Sequence, residues 1–243
     1  MREDIAERVT DKFLCGRGRQ RLSREELALL DRTVERVRDL PARHTLIRTG
    51  EQVKASTLLL DGFMCRYMDD HAGYRQLVAV HVPGDFVDLH AFPMELLDHD
   101  VATLSACRIA TWTHAALEDI VETHPHLTRM LWFSTLLDAS IHREWIFRMG
   151  RLDAEGRIAH FMCELKVRLE MVGLVKNDSF DLPLKQADVA EACGLTGVHV
   201  NRVLRSLRER DLMIFRTGQV RIMNWKQLSA LAQFDPAYLR GGL

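Results

Sequence analysis

The sequence predicts an α+β protein built in three parts: a small β-barrel, one long helix and a C-terminal winged helix-turn-helix. Three observations carry that prediction. Between residues 41 and 112, brief apolar runs alternate with glycine turns. A helical apolar pattern starting at Pro125 then meets no further Gly or Pro until Gly150. Finally, two capped helices joined by Gly194 precede a short hairpin. A length of 243 residues is enough for two hydrophobic cores.

In chain order, residues 23–39 read as a short opening helix. Ser23 stands three residues before Glu26, the spacing of a capping box, and apolar residues follow at helical intervals. The runs 45–47, 57–60, 77–82 and 102–109 read as strands, separated by the turn pairs Thr49-Gly50, Asp61-Gly62, Ala72-Gly73 and Pro83-Gly84. Many short strands at nearly even spacing imply an all-β sandwich or barrel. Residues 114–122 form a short helix.

Pro125 suits a first helical turn and opens the long helix. Leu127, Met130, Phe133, Leu137, Ile141, Trp145 and Met149 recur at intervals of three or four and form one apolar stripe. A helix of about 25 residues is roughly 37 Å long, more than a small barrel needs to cover its open side. The surplus stripe is expected to pack on its own copy as a parallel dimer seam through Met130, Phe133, Leu137, Ile141 and Trp145. Gly150 to Asp153 interrupts the pattern, with Asp153 able to cap the next helix, 154–172.

Residues 184–208, LKQADVAEACGLTGVHVNRVLRSLR, carry the functional signal. One helix ends near Cys193, Gly194 allows a tight turn, and Thr196 is a good cap for a second helix. At 100° per residue, Val200, Val203, Leu204 and Leu207 share one face. Val198, Asn201, Arg202 and Arg205 share the opposite face, with His199 at its edge. A row of donors with one methyl-bearing side chain, opposite a core face, is what a recognition helix presents to the major groove. Thr196 and Gly197 at its start complete the candidate interface. The hairpin after it carries Arg216 and Arg221, which suit phosphate contact.

Composition agrees with that reading. The hydrophobic share of 47% and charged share of 28% exclude a disordered chain. No apolar stretch is long enough to span a membrane, and the charged N-terminus lacks the apolar core of a signal peptide, so the chain is expected to be cytoplasmic. The net charge of −1 conceals an asymmetry: from residue 182 onward nine Lys/Arg stand against five Asp/Glu. The basic end is therefore available to phosphates. Cys15, Cys65, Cys107, Cys163 and Cys193 lie far apart and never form C-x-x-C, which reads as small buried hydrophobes.

Over nearly its whole length the chain resembles the Crp/Fnr family of bacterial transcription regulators. The resemblance rests on HVPGDF (81–86), DAEGRIAHFMCEL (153–165) and GLTGVHVNRVLRSLRERDLM (194–213). The last two are specific together, whereas the first is shared with cupin enzymes and channel domains. The resemblance implies an N-terminal double-stranded β-helix (jelly-roll) sensor barrel over residues 1–122, a dimerisation helix over 123–150 and a winged helix-turn-helix over 151–243. It also implies a homodimer on palindromic promoter DNA, with RNA polymerase as a further partner.

Two segments depart from the family pattern. Cyclic-nucleotide-binding members carry Gly-Glu after the PGDF turn and an Arg-Ser/Thr-Ala run about ten residues later. Here Asp88-Leu89 and Leu97-Asp98-His99 stand instead, with Glu95, Asp98 and Asp100 nearby to repel a phosphate. Cyclic-nucleotide binding is not expected, no cofactor is expected, and any small-molecule effector is unidentified. The second departure is Val198, where many relatives have a glutamate that accepts from cytosine; Arg202 matches their guanine-reading arginine. Histidines 71, 81, 90, 99, 124, 126 and 142 follow no ligand motif, so no metal is expected. The chain is not expected to be an enzyme. Two other classes are a cupin-like metalloenzyme, for which His124-Pro125-His126 is the only H-x-H, and a partner-binding module that has lost DNA, against which Arg202, Arg205, Arg216 and Arg221 argue.

Overall fold

The computed structural model describes residues 8–241; residues 1–7 and 242–243, which include most of the charged N-terminal stretch, lie outside the described residues. The barrel comprises β1 (Arg36–Leu40), β2 (Thr45–Ile47), β3 (Ala55–Asp61), β4 (Met64–Asp69), β5 (Arg75–His81), β6 (Asp100–Thr103) and β7 (Cys107–Thr113), with a one-turn helix α2 (Ala91–Met94) between β5 and β6. Every pairing is antiparallel. One sheet runs β1-β7-β3 and the other β2-β6-β4-β5. They form the two walls of the jelly-roll, with Leu59, Met64, Val87, Val101 and Ile109 buried between them.

The opening helix is shorter than its apolar spacing predicts. α1 (Arg24–Arg32) starts with the expected capping box, Glu26 N–H donating to the Ser23 hydroxyl and Ser23 N–H to the Glu26 carboxylate. It stops at Thr33, whose hydroxyl donates back to the carbonyls of Leu29 and Leu30. Residues 36–40 leave the helix to pair with Thr111 to Cys107 of β7. The long-range ladder, helped by β-branched Val34 and Val37, overrides the helical periodicity. Before α1, residues 8–22 wrap the barrel in successive turns and bury Phe13 and Leu14. That wrapping explains Gly84, which has φ +96° and would place any Cβ 2.3 Å from the Lys12 carbonyl oxygen.

Two helices leave the barrel, α3 (His114–Thr123) and α4 (Pro125–Arg151). α4 is the long helix predicted, running through Gly150 to a break at Leu152. The seam assigned to it must be corrected. Met130, Leu137, Ile141 and Trp145 are 4 to 6% exposed within the single chain. Met130 and Leu137 pack with the barrel flank, α3 and the N-terminal segment, while Ile141 and Trp145 join the core of the C-terminal domain. Phe133 is half-buried, with the Arg21 guanidinium 5.5 Å from its ring centre. The stripe is thus covered from within the chain. The apolar residues that α4 leaves exposed are Trp132 (65%), Leu136 (51%), Ile146 (73%) and Phe147 (44%).

Asp153 caps α5 (Ala154–Met171), accepting from Gly156 N–H at 2.8 Å. α5 is the axle of the C-terminal domain and is buried along most of its length. Around it lie β8 (Ser179–Asp181), α6 (Gln186–Cys193), α7 (Gly197–Glu209), β9 (Met213–Arg216), β10 (Gln219–Ile222) and α8 (Trp225–Leu231). The wing is a three-stranded sheet in the order β8-β10-β9. Its first strand, SFD, is too short to show a period in sequence. Among the described residues no helix is long and apolar enough to cross a membrane.

Candidate nucleic-acid interface

The helix-turn-helix forms as its residues dictate. α6 ends on Gly194, which is left-handed at φ +60°. The Thr196 hydroxyl then accepts from His199 N–H and starts α7. Val200, Val203 and Leu207 are buried and Leu204 is half-buried. Thr196, Gly197, Val198, His199, Asn201, Arg202 and Arg205 are all exposed, with Val198 at 70%. At the far end, Glu155 of α5 accepts from Ser206 Oγ at 2.6 Å and from Arg210 Nη1 at 2.7 Å, which pins α7 to the axle.

The wing turns through Thr217 (φ +50°) and Gly218 (φ +74°), both left-handed, as a two-residue hairpin needs. Gln219 pairs with Arg216 and Arg221 with Ile214. Alternation therefore puts Arg216 and Arg221 on the same exposed face of the sheet. Between α7 and β9 lies an open groove of about 530 Å³, whose polar lining includes Gln186, Asn201, Arg202, Arg205, Arg208 and Arg216. Gln186 and Arg208 were not singled out by sequence reasoning. Gln186 opens α6, and its proximity to α7 depends on the angle of the turn, which no sequence spacing encodes.

The arginines differ in one respect that sequence hides. Arg205 Nε donates to Glu209 Oε1 at 2.7 Å, one turn on, and this contact holds the Glu209 carboxyl below its usual range. Arg202 has no ion-pair partner among the described residues. Arg202 can thus take a new polar partner at once, while Arg205 must first give up a carboxylate.

In the barrel, the two departures from a phosphate pocket take clear form. Asp88 is fully buried, its Oδ1 accepts from Thr57 N–H at 2.5 Å, and burial pushes its carboxyl up to about 7. Leu97 is a core residue. Glu95 and Asp98 face solvent, so repulsion from them is weaker than their place in sequence suggests. An arginine does enter the barrel interior, from an unexpected strand. Arg66 of β4 is 3% exposed, donates Nε to the Val87 carbonyl at 2.7 Å and Nη1 to Asp138 Oδ2 of α4 at 2.5 Å. Burial opposes the charge of Asp138, but Arg66, with His81 and His142, holds it at about 2. His90 and His99 lie ring to ring at 5.3 Å, and burial pushes His90 down to about 3.

The histidine pair weighed for a metalloenzyme lies outside the barrel. His126 Nδ1 contacts Glu26 Oε1 at 2.7 Å and His124 Nδ1 contacts the Thr123 hydroxyl at 2.7 Å. Among the described residues no three His, Cys, Asp or Glu side chains converge as metal ligands would.

Comparison with known proteins finds two family models. The Crp-like helix-turn-helix domain matches residues 156–231 and the cyclic nucleotide-binding domain matches residues 37–124. The transcriptional activator protein FnrL of Cereibacter sphaeroides is 27% identical over 82% of this chain and 80% of its own length. The fumarate and nitrate reduction regulatory protein of Vibrio cholerae is 22% identical over 87% of this chain and 84% of its own length. Among solved structures, FixK2 from Bradyrhizobium japonicum superposes with a TM-score of 0.74 at 21% identity, covering 81% of this chain and 96% of that one.

Proposed function

The chain belongs to the Crp/Fnr family of transcription regulators, and from that premise we propose that it is a sequence-specific DNA-binding regulator acting as a homodimer, its barrel modulating promoter binding. The observation that carries this reading is the exposed face of α7, where Asn201, Arg202 and Arg205 stand beside a basic wing and have no core to serve. Arg202 reads a base edge, and Val198 favours an apolar partner such as a thymine methyl. Arg205, Arg216 and Arg221 bind phosphates, and His199 and Asn201 flank the reading position. The working parts are a sensor at 1–122, a dimerisation helix at 123–150 and the DNA-binding domain at 151–243.

The dimer seam proposed here uses the face of α4 that the chain leaves open. Trp132, Leu136, Ala139, Arg143 and Ile146 follow one another at intervals of four and three, the spacing of a two-stranded seam. A two-fold axis along α4 gives each α7 an equivalent half-site, so the operator is palindromic. RNA polymerase is the partner at the promoter, and the site of action is the cytoplasm. Selecting genomic DNA with the purified protein, with and without cell extract, tests the reading. Recovery of a two-fold symmetric motif supports it, and recovery without enrichment over random fragments rejects it. The extract arm reports whether an effector is needed.

A further inference from the structure

α6 does not reach the barrel only through the α4–α5 junction; it lies directly against β5. Arg43, in the turn between β1 and β2, has its own N–H anchored to the Thr103 carbonyl at 3.1 Å. Its guanidinium forks onto Asp188 of α6, Nη1 to Oδ1 at 2.5 Å and Nη2 to Oδ2 at 2.7 Å. Asp188 is 4% exposed, and its Oδ2 also accepts from Lys185 N–H at 2.6 Å, closing the start of α6. A second tether runs from Gln76 of β5, whose Nε2 donates to the Glu191 carbonyl. Around both, Cys65, Tyr67 and Leu77 of the barrel share one apolar cluster with Val189, Ala192 and Cys193.

We propose that Arg43 is a positioning residue for DNA recognition. With Asp188 it clamps α6, and through the Gly194 turn α7, to the sensor barrel, so the placement of the two recognition helices depends on the barrel directly. This rests on the DNA-binding reading above. Neither Arg43 nor Asp188 lines the groove between α7 and the wing, so the clamp acts on orientation and leaves base contact untouched. A forked arginine–carboxylate pair fixes angle as well as distance, which suits that role. Loss of the arginine strands a buried carboxylate, so the contact face loosens and does not simply re-form elsewhere. The left-handed Gly194 and the bond from Leu195 N–H to the Ala190 carbonyl, at 3.0 Å, make α7 follow α6.

The test uses the full-length protein with Arg43→Ala, Arg43→Lys and Gln76→Ala. Affinity is measured for the selected operator, for random duplex, and for operators with one base pair added or removed between half-sites. Hydrogen exchange across 186–193 is followed without DNA. In Arg43→Ala the operator-to-random ratio is expected to fall roughly fivefold or more, the range of ordinary coupling between sites. The penalty for altered spacing is expected to shrink and α6 to exchange faster; Arg43→Lys, which keeps charge but loses the fork, is expected to lie between. An unchanged ratio and spacing penalty overturn the proposal. If Arg43→Ala does not fold, Arg43→Lys decides it, because that variant keeps a charge beside Asp188 and loses only the fork; an unchanged ratio and spacing penalty there overturn the clamp, and Gln76→Ala reports what the second tether adds. If the unaltered protein selects no DNA, the DNA-binding reading fails on its own, and unchanged exchange in α6 then overturns the clamp separately.

Discussion

Replacing both Leu136 and Ile146 by Glu is expected to give a folded monomer. These side chains are 51% and 73% exposed in the single chain, so neither holds the protomer together. Full burial of a Leu or Ile contributes about 1.5–3 kcal/mol, so covering the exposed fractions is worth about 1–2 kcal/mol at each position. The two-fold axis makes four such sites, which totals about 4–8 kcal/mol and weakens the dimer by three or more orders of magnitude. Burying four carboxylates would cost further, so the variant should dissociate. Sedimentation velocity at micromolar protein, with circular dichroism for folding, is the assay. The control is Leu137→Glu with Ile141→Glu, which places charge where the chain has 4% and 6% exposure and should unfold the protomer instead. An intact dimer from the Leu136/Ile146 variant would refute the assignment of the seam.

Arg202→Ala is expected to cost about 1–3 kcal/mol per half-site and to relax preference at one symmetric base pair. Arg216→Ala should weaken all sequences alike and lower the salt slope by about one unit per contact; gel shifts over a salt series separate the two, and an unchanged operator-to-random ratio for Arg202→Ala would count against base reading. Cyclic AMP and cyclic GMP are expected not to bind, because Arg66 is already neutralised by Asp138; saturable micromolar heat in calorimetry would overturn this. Asp88→Asn should change the pH dependence of stability. The Asp88 carboxyl is raised from 3.8 to about 7 by burial, so its stabilising contribution is fully present below 3.8 and is lost as pH rises to about 7. The variant lacks that loss, so its advantage over the unaltered protein should grow across this window to roughly 3–5 kcal/mol and then level off; denaturant unfolding from pH 5 to 8 with parallel curves would show that Asp88 ionises freely.

Elements whose pattern is local were legible in sequence. The capping box at Ser23, the cap at Asp153 and the Gly194 turn stand where residue type alone places them. Elements defined by a distant partner were not. Residues 36–40, RVRDL, carry charges at 36, 38 and 39, so their alternation is broken and they read as a continuation of the helix until β7 supplies a ladder, and β4, MCRYMD, hides the arginine that enters the barrel. The seam failed for another reason. α4 is apolar on more than one face, and both Leu137–Ile141 and Leu136–Ile146 fit intervals of three and four. Periodicity finds the stripes; only packing tells which one the chain covers itself.

The border between sensor and DNA-binding domain adds directional charge pairs to a shared apolar cluster. Asp85, from the HVPGDF turn, accepts from Arg168 of α5 at 2.6 Å and from Arg17 at 2.9 Å, and these two arginines hold it ionised against the penalty of burial. Arg168 also donates to Glu164, which takes Trp145 Nε1 of α4 and the Tyr238 hydroxyl. Arg66–Asp138 joins barrel to α4, and Arg43–Asp188 joins barrel to α6. An apolar border would slide at small cost, since hydrophobic contact has no preferred direction. Paired buried charges behave otherwise: each is tolerable in register and costly out of it, because displacement leaves an ion without its partner. A domain held this way is expected to have few placements, and under the DNA-binding reading proposed above a change in the barrel that broke one of these pairs would shift where α7 meets DNA.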